Sequence, residues 1–244
     1  AVVLSVAGQT MLYDSGPGDG QGYDLVNSVI SPALAVRGAD SLEHVIISHA
    51  DLDHAGGLGS LLSRFHEAAY LGNLTRSLQA VSPCVAPYNW SWSGVQFRVL
   101  HPGPGLPYLG NDSSCVLSVS SGQYRVLLSG DISSSIENRL ILDGIQPHSL
   151  VLVPHHGSKS SSSFPFIQRL APRAAIDTAG LGNRFDFPRP EVRSRYVRTG
   201  SDFWSTGECG AIRIMINADG SYRATSARRV RNRAWRWPVA ANCP

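Results

Sequence analysis

The chain has 244 residues, 43% of them hydrophobic, a formal net charge of +3 and four cysteines. That composition supplies a core for one globular α/β domain of the larger kind. No run approaches the ~20 apolar residues of a membrane span, and Ala1-Val2-Val3-Leu4 reads as a strand, not a signal peptide. The missing initiator Met marks a piece of something larger. In chain order, the spacing predicts strands over 2–6 and 10–14, then a helix over 23–37. A strand over 45–48 and a helix over 57–65 follow, then strands over 69–71, 95–100, 115–120 and 124–129. A helix over 134–143 is announced by Ser133-Ser134 ahead of Glu137, a capping pattern. Strands over 149–154 and 174–177 flank a helix over 164–171. The series closes with a helix over 190–199 and strands over 211–217 and 221–225. Strand pairs, a helix, then more strands occur twice, which suits two mixed sheets packed face to face with helices outside.

His49-Ala50-Asp51-Leu52-Asp53-His54-Ala55-Gly56-Gly57 places four metal-binding side chains in six residues, directly after the apolar run Val45-Ile46-Ile47-Ser48. Two carboxylates two residues apart repel unless cations lie between them, which disfavours a merely solvated turn. The glycines let the chain turn tightly and begin a helix beside the ions. Three more stretches carry chemistry at strand ends: Leu12-Tyr13-Asp14-Ser15-Gly16-Pro17, Leu128-Ser129-Gly130-Asp131, and Val153-Pro154-His155-His156-Gly157-Ser158-Lys159-Ser160-Ser161.

In this order the motifs resemble those of metallo-β-lactamase-fold hydrolases, whose His-x-His-x-Asp-His signature has Asp51 here in place of the middle His. Asp51, the Asn111-to-Leu117 run ahead of Gly130-Asp131, and His-His-Gly-Ser-Lys-x-Ser together resemble the C-terminal domain of the ComEC family of bacterial DNA-uptake channels. The resemblance runs over roughly residues 1 to 217. A family member would begin with a further strand and a Gly-Gln-Gly-like turn, which this chain lacks. The resemblance implies an αββα sandwich of two mixed sheets over residues 1–226. Residues 227–244 would then form a basic, Trp-containing tail.

By that resemblance His49 and Asp51 would hold one ion, Asp53, His54 and His156 the other, and Asp131 would bridge them. Three imidazoles and three carboxylates make an oxygen-rich set for zinc, so Mn²⁺ competes with Zn²⁺ for the two positions. Asp53, His155 and Lys159 are the catalytic candidates. If the two histidines continued a strand they would point to opposite faces. His156 is therefore assigned as ligand and His155 as proton donor to the leaving oxygen, with the reverse open. Asp14 is expected to orient His54 or a water. Asn111 stands where the family's middle His aligns and is a weak ligand, and His101 is the other candidate for that place, or a loop residue. Lys159 is the sole lysine. With Ser158, Ser160 and Ser161 it would cradle a phosphate, the other reading being a flexible polar loop.

The net charge hides an asymmetry. Residues 223–244 carry six arginines and no acid, so the body has 15 basic against 18 acidic residues, or −3. Trp235 and Trp237 lie among these arginines, a composition that binds phosphates and stacks on bases, or simply stays solvated. Cys84, Cys115, Cys209 and Cys243 lack Cys-x-x-Cys spacing, against a structural zinc site. They are buried thiols if the enzyme is cytosolic. The extracytoplasmic face implied by the resemblance favours disulfides instead, with Cys84–Cys115 as the expected bridge.

The function expected is a two-metal phosphodiesterase that degrades the DNA strand left outside during natural transformation. It would act as a periplasmic, monomeric domain of an inner-membrane channel, with single-stranded DNA or a duplex end as partner. A phosphocholine esterase or other small phosphodiesterase of the same fold, and a catalytically idle DNA-guiding module, are the alternatives.

Overall fold

The computed structural model describes residues 1–217, 221–230 and 242–244. The chain divides into two compact units, Ala1–Leu117 and Ser118–Pro244.

In the first unit β1 (Val2–Val6) and β2 (Gln9–Tyr13) form an antiparallel hairpin. To this hairpin β3 (His44–Ile47), β4 (Ala69–Gly72) and β5 (Ser82–Pro83) add in parallel, giving a five-stranded mixed sheet in sequence order. Its apolar face meets a cluster that includes Leu12, Val45, Ile47, Leu58 and Leu61. The helix expected over 23–37 is present in shorter form, its first part a π-helical turn, Val26–Ile30, that runs into the short α1 (Ser31–Ala35). Pro32, which has no amide proton to give, sits in the first turn of α1. A second hairpin, β6 (Tyr88–Trp92) with β7 (Val95–His101), stacks Trp90 on Phe97 at 4.9 Å and on His44 at 4.6 Å. A disulfide joins Cys84 to Cys115, so the expected bridge is present.

β8 (Val116–Ser121) starts in the first unit and crosses into the second. There β8 is followed by β9 (Tyr124–Leu128), α4 (Ser134–Leu142), β10 (Leu150–Leu152), α5 (Phe164–Leu170), β11 (Ala174–Asp177), α6 (Pro190–Arg198) and β12 (Asp202–Ser205). The strands lie in the order β12-β11-β10-β9-β8, with β9 to β12 mutually parallel. α7 (Thr206–Cys209) precedes a hairpin of β13 (Ile212–Ile216) and β14 (Tyr222–Ser226), then α8 (Ala227–Val230). The hairpin residues Ile212, Ile214 and Tyr222 pack on Tyr124, Leu150 and Trp204. Two mixed sheets with helices, the α/β class expected, are therefore present. β5, β6, β12, α7, α8 and the four-residue α2 described below are additions to the expected elements.

A second disulfide, Cys209–Cys243, ties the chain end to α7. Around it Ser226 donates to the Pro244 carbonyl, Arg229 to that of Cys243, and Asn242 to that of Phe203. Closing loops with separations of 31 and 34 residues contributes roughly 3–4 kcal/mol per bridge in the chain-entropy picture. Of the expected basic tail, Arg231, Arg233, Trp235, Arg236 and Trp237 lie outside the described residues. No helix among the described residues is long and apolar enough to cross a membrane.

One buried group makes stability depend on pH. His148 is 2% exposed. Its Nδ1–H donates to the Gln146 carbonyl at 2.7 Å and its Nε2 accepts from Ser118 Oγ at 2.8 Å, the neutral tautomer. Burial lowers its pKa from 6.5 to about 4, helped by the nearby charge of Arg125 and opposed by the Gln146 bond. Between those values the unfolded chain binds a proton that the folded one refuses, so stability is full above pH 6.5 and falls as pH drops toward 4. The loss expected is up to about 3 kcal/mol. Melting curves from pH 7 to 4.5 should be markedly flatter for His148→Gln than for the parent, and identical slopes would remove His148 as the cause.

Candidate metal centre

In the first unit His49, Asp51, Asp53 and His54 follow the end of β3 within seven residues. β3 stops at Ile47, and after His49 the chain enters α2 (Leu52–Ala55), with α3 (Leu58–Arg64) following Gly57. Asp51 occupies the N-cap of α2, yet its side chain makes no capping bond; its Oδ2 lies 3.7 Å from His49 Nε2. An N-cap aspartate usually satisfies the helix's orphan amides, so this one is turned to another task. Asp53 places Oδ2 3.8 Å from His54 Nε2.

The preceding turn holds this loop from behind. Ser15 accepts from Gly57 N at 2.9 Å and donates through Oγ to the His54 carbonyl at 2.7 Å. A Cβ on Gly56 would overlap the backbone at Gly18, so only glycine permits the approach. Asp14 is 5% exposed, with φ +61°. Its Oδ2 accepts from His54 Nδ1 at 2.8 Å and its Oδ1 from Ser48 N at 2.7 Å. Burial alone would raise its carboxyl, but the charge and hydrogen bond of His54, with the Ser48 amide, hold it below the ordinary value. The bond to Asp14 fixes the proton of His54 on Nδ1, leaving the Nε2 lone pair toward Asp53. Ser48 Oγ stands 3.0 Å from His49 Nδ1, which likewise turns Nε2 toward Asp51.

Asn111 lies in a 3-10 turn, Gly110–Ser113, and its carbonyl accepts from Ser114, whose Oγ is 3.5 Å from His49 Nδ1. Its visible part is thus to seat a neighbour of the ligand His. His101 ends β7, and its Nε2 donates to the Asp112 carbonyl at 2.8 Å, a structural bond. Tyr108, not singled out from sequence, accepts from Ala50 N at 3.1 Å.

In the second unit Asp131 is 5% exposed, just after β9. His155 and His156 do not continue β10. They sit in a 3-10 turn, Pro154–Gly157, with left-handed φ of 51° and 50°. Strand alternation therefore fails as a way to separate them. Both Nε2 atoms approach Asp131 Oδ2, from 3.9 Å for His155 and 3.7 Å for His156. His156 Nδ1 meets Thr178 Oγ1 at 2.9 Å, and His155 Nδ1 meets Ser160 Oγ at 3.2 Å. Next to Thr178, at the end of β11, buried Asp177 accepts from Ser205 Oγ at 2.8 Å. Burial raises the Asp177 pKa to about 6 against the Ser205 and Ala179 bonds.

Lys159 pairs with Glu191 at 2.8 Å, both half exposed or more. Such a surface pair is worth at most about 1 kcal/mol, so an anion can recruit the ammonium. Ser158 and Ser160 share a hydrogen bond at 3.0 Å, while Ser161 turns inward to the Pro154 carbonyl. Glu137 is buried and accepts from the amides of Ser162 and Ser163, which seats this serine run against α4.

In all four histidines, then, Nδ1 meets a protein oxygen and Nε2 faces a carboxylate. That is how ligand imidazoles are oriented, and the oxygen-rich donor set fits hard or borderline divalent ions.

The chain matches the sequence model of the Metallo-beta-lactamase superfamily over residues 1–176. It is 34% identical over 230 residues to Uncharacterized protein YcaI of Escherichia coli, covering 93% of this chain and 30% of that protein. Recombination protein 2 of Haemophilus influenzae is 30% identical, with 90% and 28% covered. Competence protein ComA of Neisseria gonorrhoeae is 29% identical, with 90% and 31% covered. The chain spans a little under a third of the length of these relatives.

Proposed function

Because the chain belongs to the metallo-β-lactamase superfamily, with His and Asp groups suited to divalent metal, we propose that it is the metal-dependent phosphodiesterase domain of a DNA-internalisation channel. Its substrate would be DNA, in particular the strand that is not transported. The observation that carries this reading is the set of histidines that each present Nε2 to an aspartate. The names of the relatives, one a recombination and one a competence protein, support DNA as substrate. His49, Asp51, Asp53 and His54 of the first unit, with Asp131 and His156 of the second, are the ligands proposed for two ions, Mn²⁺ or Zn²⁺. When bound, such ions supply Lewis acidity and a nucleophile active at neutral pH. The chain's own groups do the rest. Lys159, Ser158 and Ser160 bind the phosphodiester, and His155, steadied at Nδ1 by Ser160, gives its proton to the leaving oxygen. The rest of the channel is a partner, and the periplasm is the setting consistent with two disulfides among the described residues.

The test is cleavage of a labelled oligonucleotide by the metal-free protein supplied with Mn²⁺, Zn²⁺ or Mg²⁺ in turn, beside a small phosphodiester. Cleavage of DNA with one of them supports the reading; cleavage of the small ester alone, or of neither, rejects it.

Two further outcomes follow from the same reading. Asp14→Ala should weaken metal binding about 10–100-fold by releasing the His54 ring, as a chelator competition would show. Unchanged affinity would assign Asp14 to the turn alone. The arginines of the tail should raise affinity through counterion release. Deleting residues 228–244 would also break Cys209–Cys243, so Arg231, Arg233 and Arg236 are better changed to Gln in place. Each lost phosphate contact should reduce the slope of log affinity against log salt by about 0.7 on single strands. An unchanged slope would make the tail a bystander.

A further inference from the structure

Between β11 and α6 the segment Leu181–Pro190 carries two phenylalanines beside the histidine turn. Phe185 and Phe187 stack with centroids 5.4 Å apart and planes 23° from parallel. Phe185 is 49% exposed and its neighbour Leu181 53%. Arg184 lies over Phe185 at 4.6 Å and Arg189 over Phe187 at 5.7 Å. The inner end of the stack meets His155, whose ring centroid is 6.0 Å from that of Phe187, edge to face.

This is a held arrangement. Asn183 Oδ1 accepts from both Phe185 N, at 3.1 Å, and Phe187 N, at 3.0 Å, while its Nδ2 donates to the carbonyls of Gly180 and Phe187. Arg189 N donates to the Gly157 carbonyl at 3.0 Å, and a Cβ on Gly157 would meet the Pro188 ring. One amide side chain thus sets both rings, and the next two residues lock them to the turn that carries His155 and His156. Core packing does not explain an outward phenylalanine under an arginine, since a ring placed for packing alone is buried.

We propose that the Phe185–Phe187 stack is the platform on which bases of single-stranded DNA next to the scissile phosphate lie, with Arg184 and Arg189 neutralising the flanking phosphates. Every base offers a π-face, so such a platform binds without reading sequence, as an enzyme that degrades a displaced strand requires. Asp186 opposes this in part. It is exposed and sits 3.7 Å from Arg189, so that guanidinium is only partly available, and Arg184 takes the larger share. An apolar protein partner would use the same rings but gains nothing from the guanidinium of Arg184 over Phe185.

The inference rests on the reading of this domain as a DNA phosphodiesterase, but its test is binding and not turnover. With divalent metal chelated, anisotropy of a labelled oligo-dT is compared with that of the same strand bearing abasic sites. Phe185→Ala and Phe185→Leu should each weaken oligo-dT binding about 5- to 100-fold. Phe185→Trp should hold or raise the affinity, and the abasic strand should be bound equally by all four proteins. Loss on both strands alike would overturn stacking in favour of a misplaced loop. Parental affinity in every variant would also overturn it and leave the rings to a protein contact. A protein that shows the stacking pattern yet cleaves no DNA with any metal would sink the nuclease reading and keep the platform.

Discussion

Asp53→Ala should remain folded, bind less metal, and lose cleavage by at least ~10²-fold, the upper end of what even outer partners of metal ligands contribute. Asp53 lies in the first turn of a four-residue helix with its side chain 59% exposed. No core packing depends on it, so the melting temperature of the metal-free protein should stay within a degree or two of the parent. Removing the carboxylate leaves His54 Nε2, 3.8 Å away, facing a gap where an anionic donor stood, and the ion it helps hold becomes under-ligated. Metal content by elemental analysis and DNA cleavage should therefore fall together. Parental cleavage in this variant would end the two-ion account. A loss of cleavage with metal content intact would move Asp53 from ligand to general base.

How much of this was legible in the chain depends on how local each feature is. The turn after β3 could be read because the candidate ligands His49, Asp51, Asp53 and His54 lie within six residues and directly follow an apolar run. β1 with β2 and β8 with β9 could be read as strand pairs because in each case the second strand follows the first after only a few residues. β12 escaped because Asp202–Ser205 is four residues with no alternation, buried on three of them. The helix expected over 23–37 is present from 26 to 35, and what the sequence did not signal is the π-helical spacing of Val26–Ile30 ahead of Pro32. Tyr108 and Thr178 left no signal, since each acts through one hydrogen bond to a residue brought near by the fold, whereas Asn183 acts locally, through four hydrogen bonds to residues within four positions of it. The Cys84–Cys115 bridge stood one step between: the resemblance supplied the oxidising setting, and positions beside two strands supplied the pairing. His155 and His156 show the opposite failure. A local rule, strand alternation, was applied to residues that the structure holds at left-handed φ just past the strand's end.

That left-handed pair is where chemistry must separate what geometry places alike. Both imidazoles reach Asp131, and each has its Nδ1 on a hydroxyl, so the roles depend on what lies around them. His156 leans on Thr178, one residue beyond β11 and close to buried Asp177, an anchorage suited to a fixed ligand. His155 leans on Ser160 in the serine loop, with Phe187 against its ring, and so stands nearer the groups proposed to bind the strand. His156→Ala should accordingly lower metal content and cleavage together. His155→Ala should keep metal and slow turnover about 10²–10⁴-fold, the range for a lost proton donor. A substrate with a better leaving group, which needs no proton, should recover most of the rate in His155→Ala and none in His156→Ala. If the recovery and the metal loss come out the other way round, the two histidines exchange roles and the serine loop becomes the ligand's support.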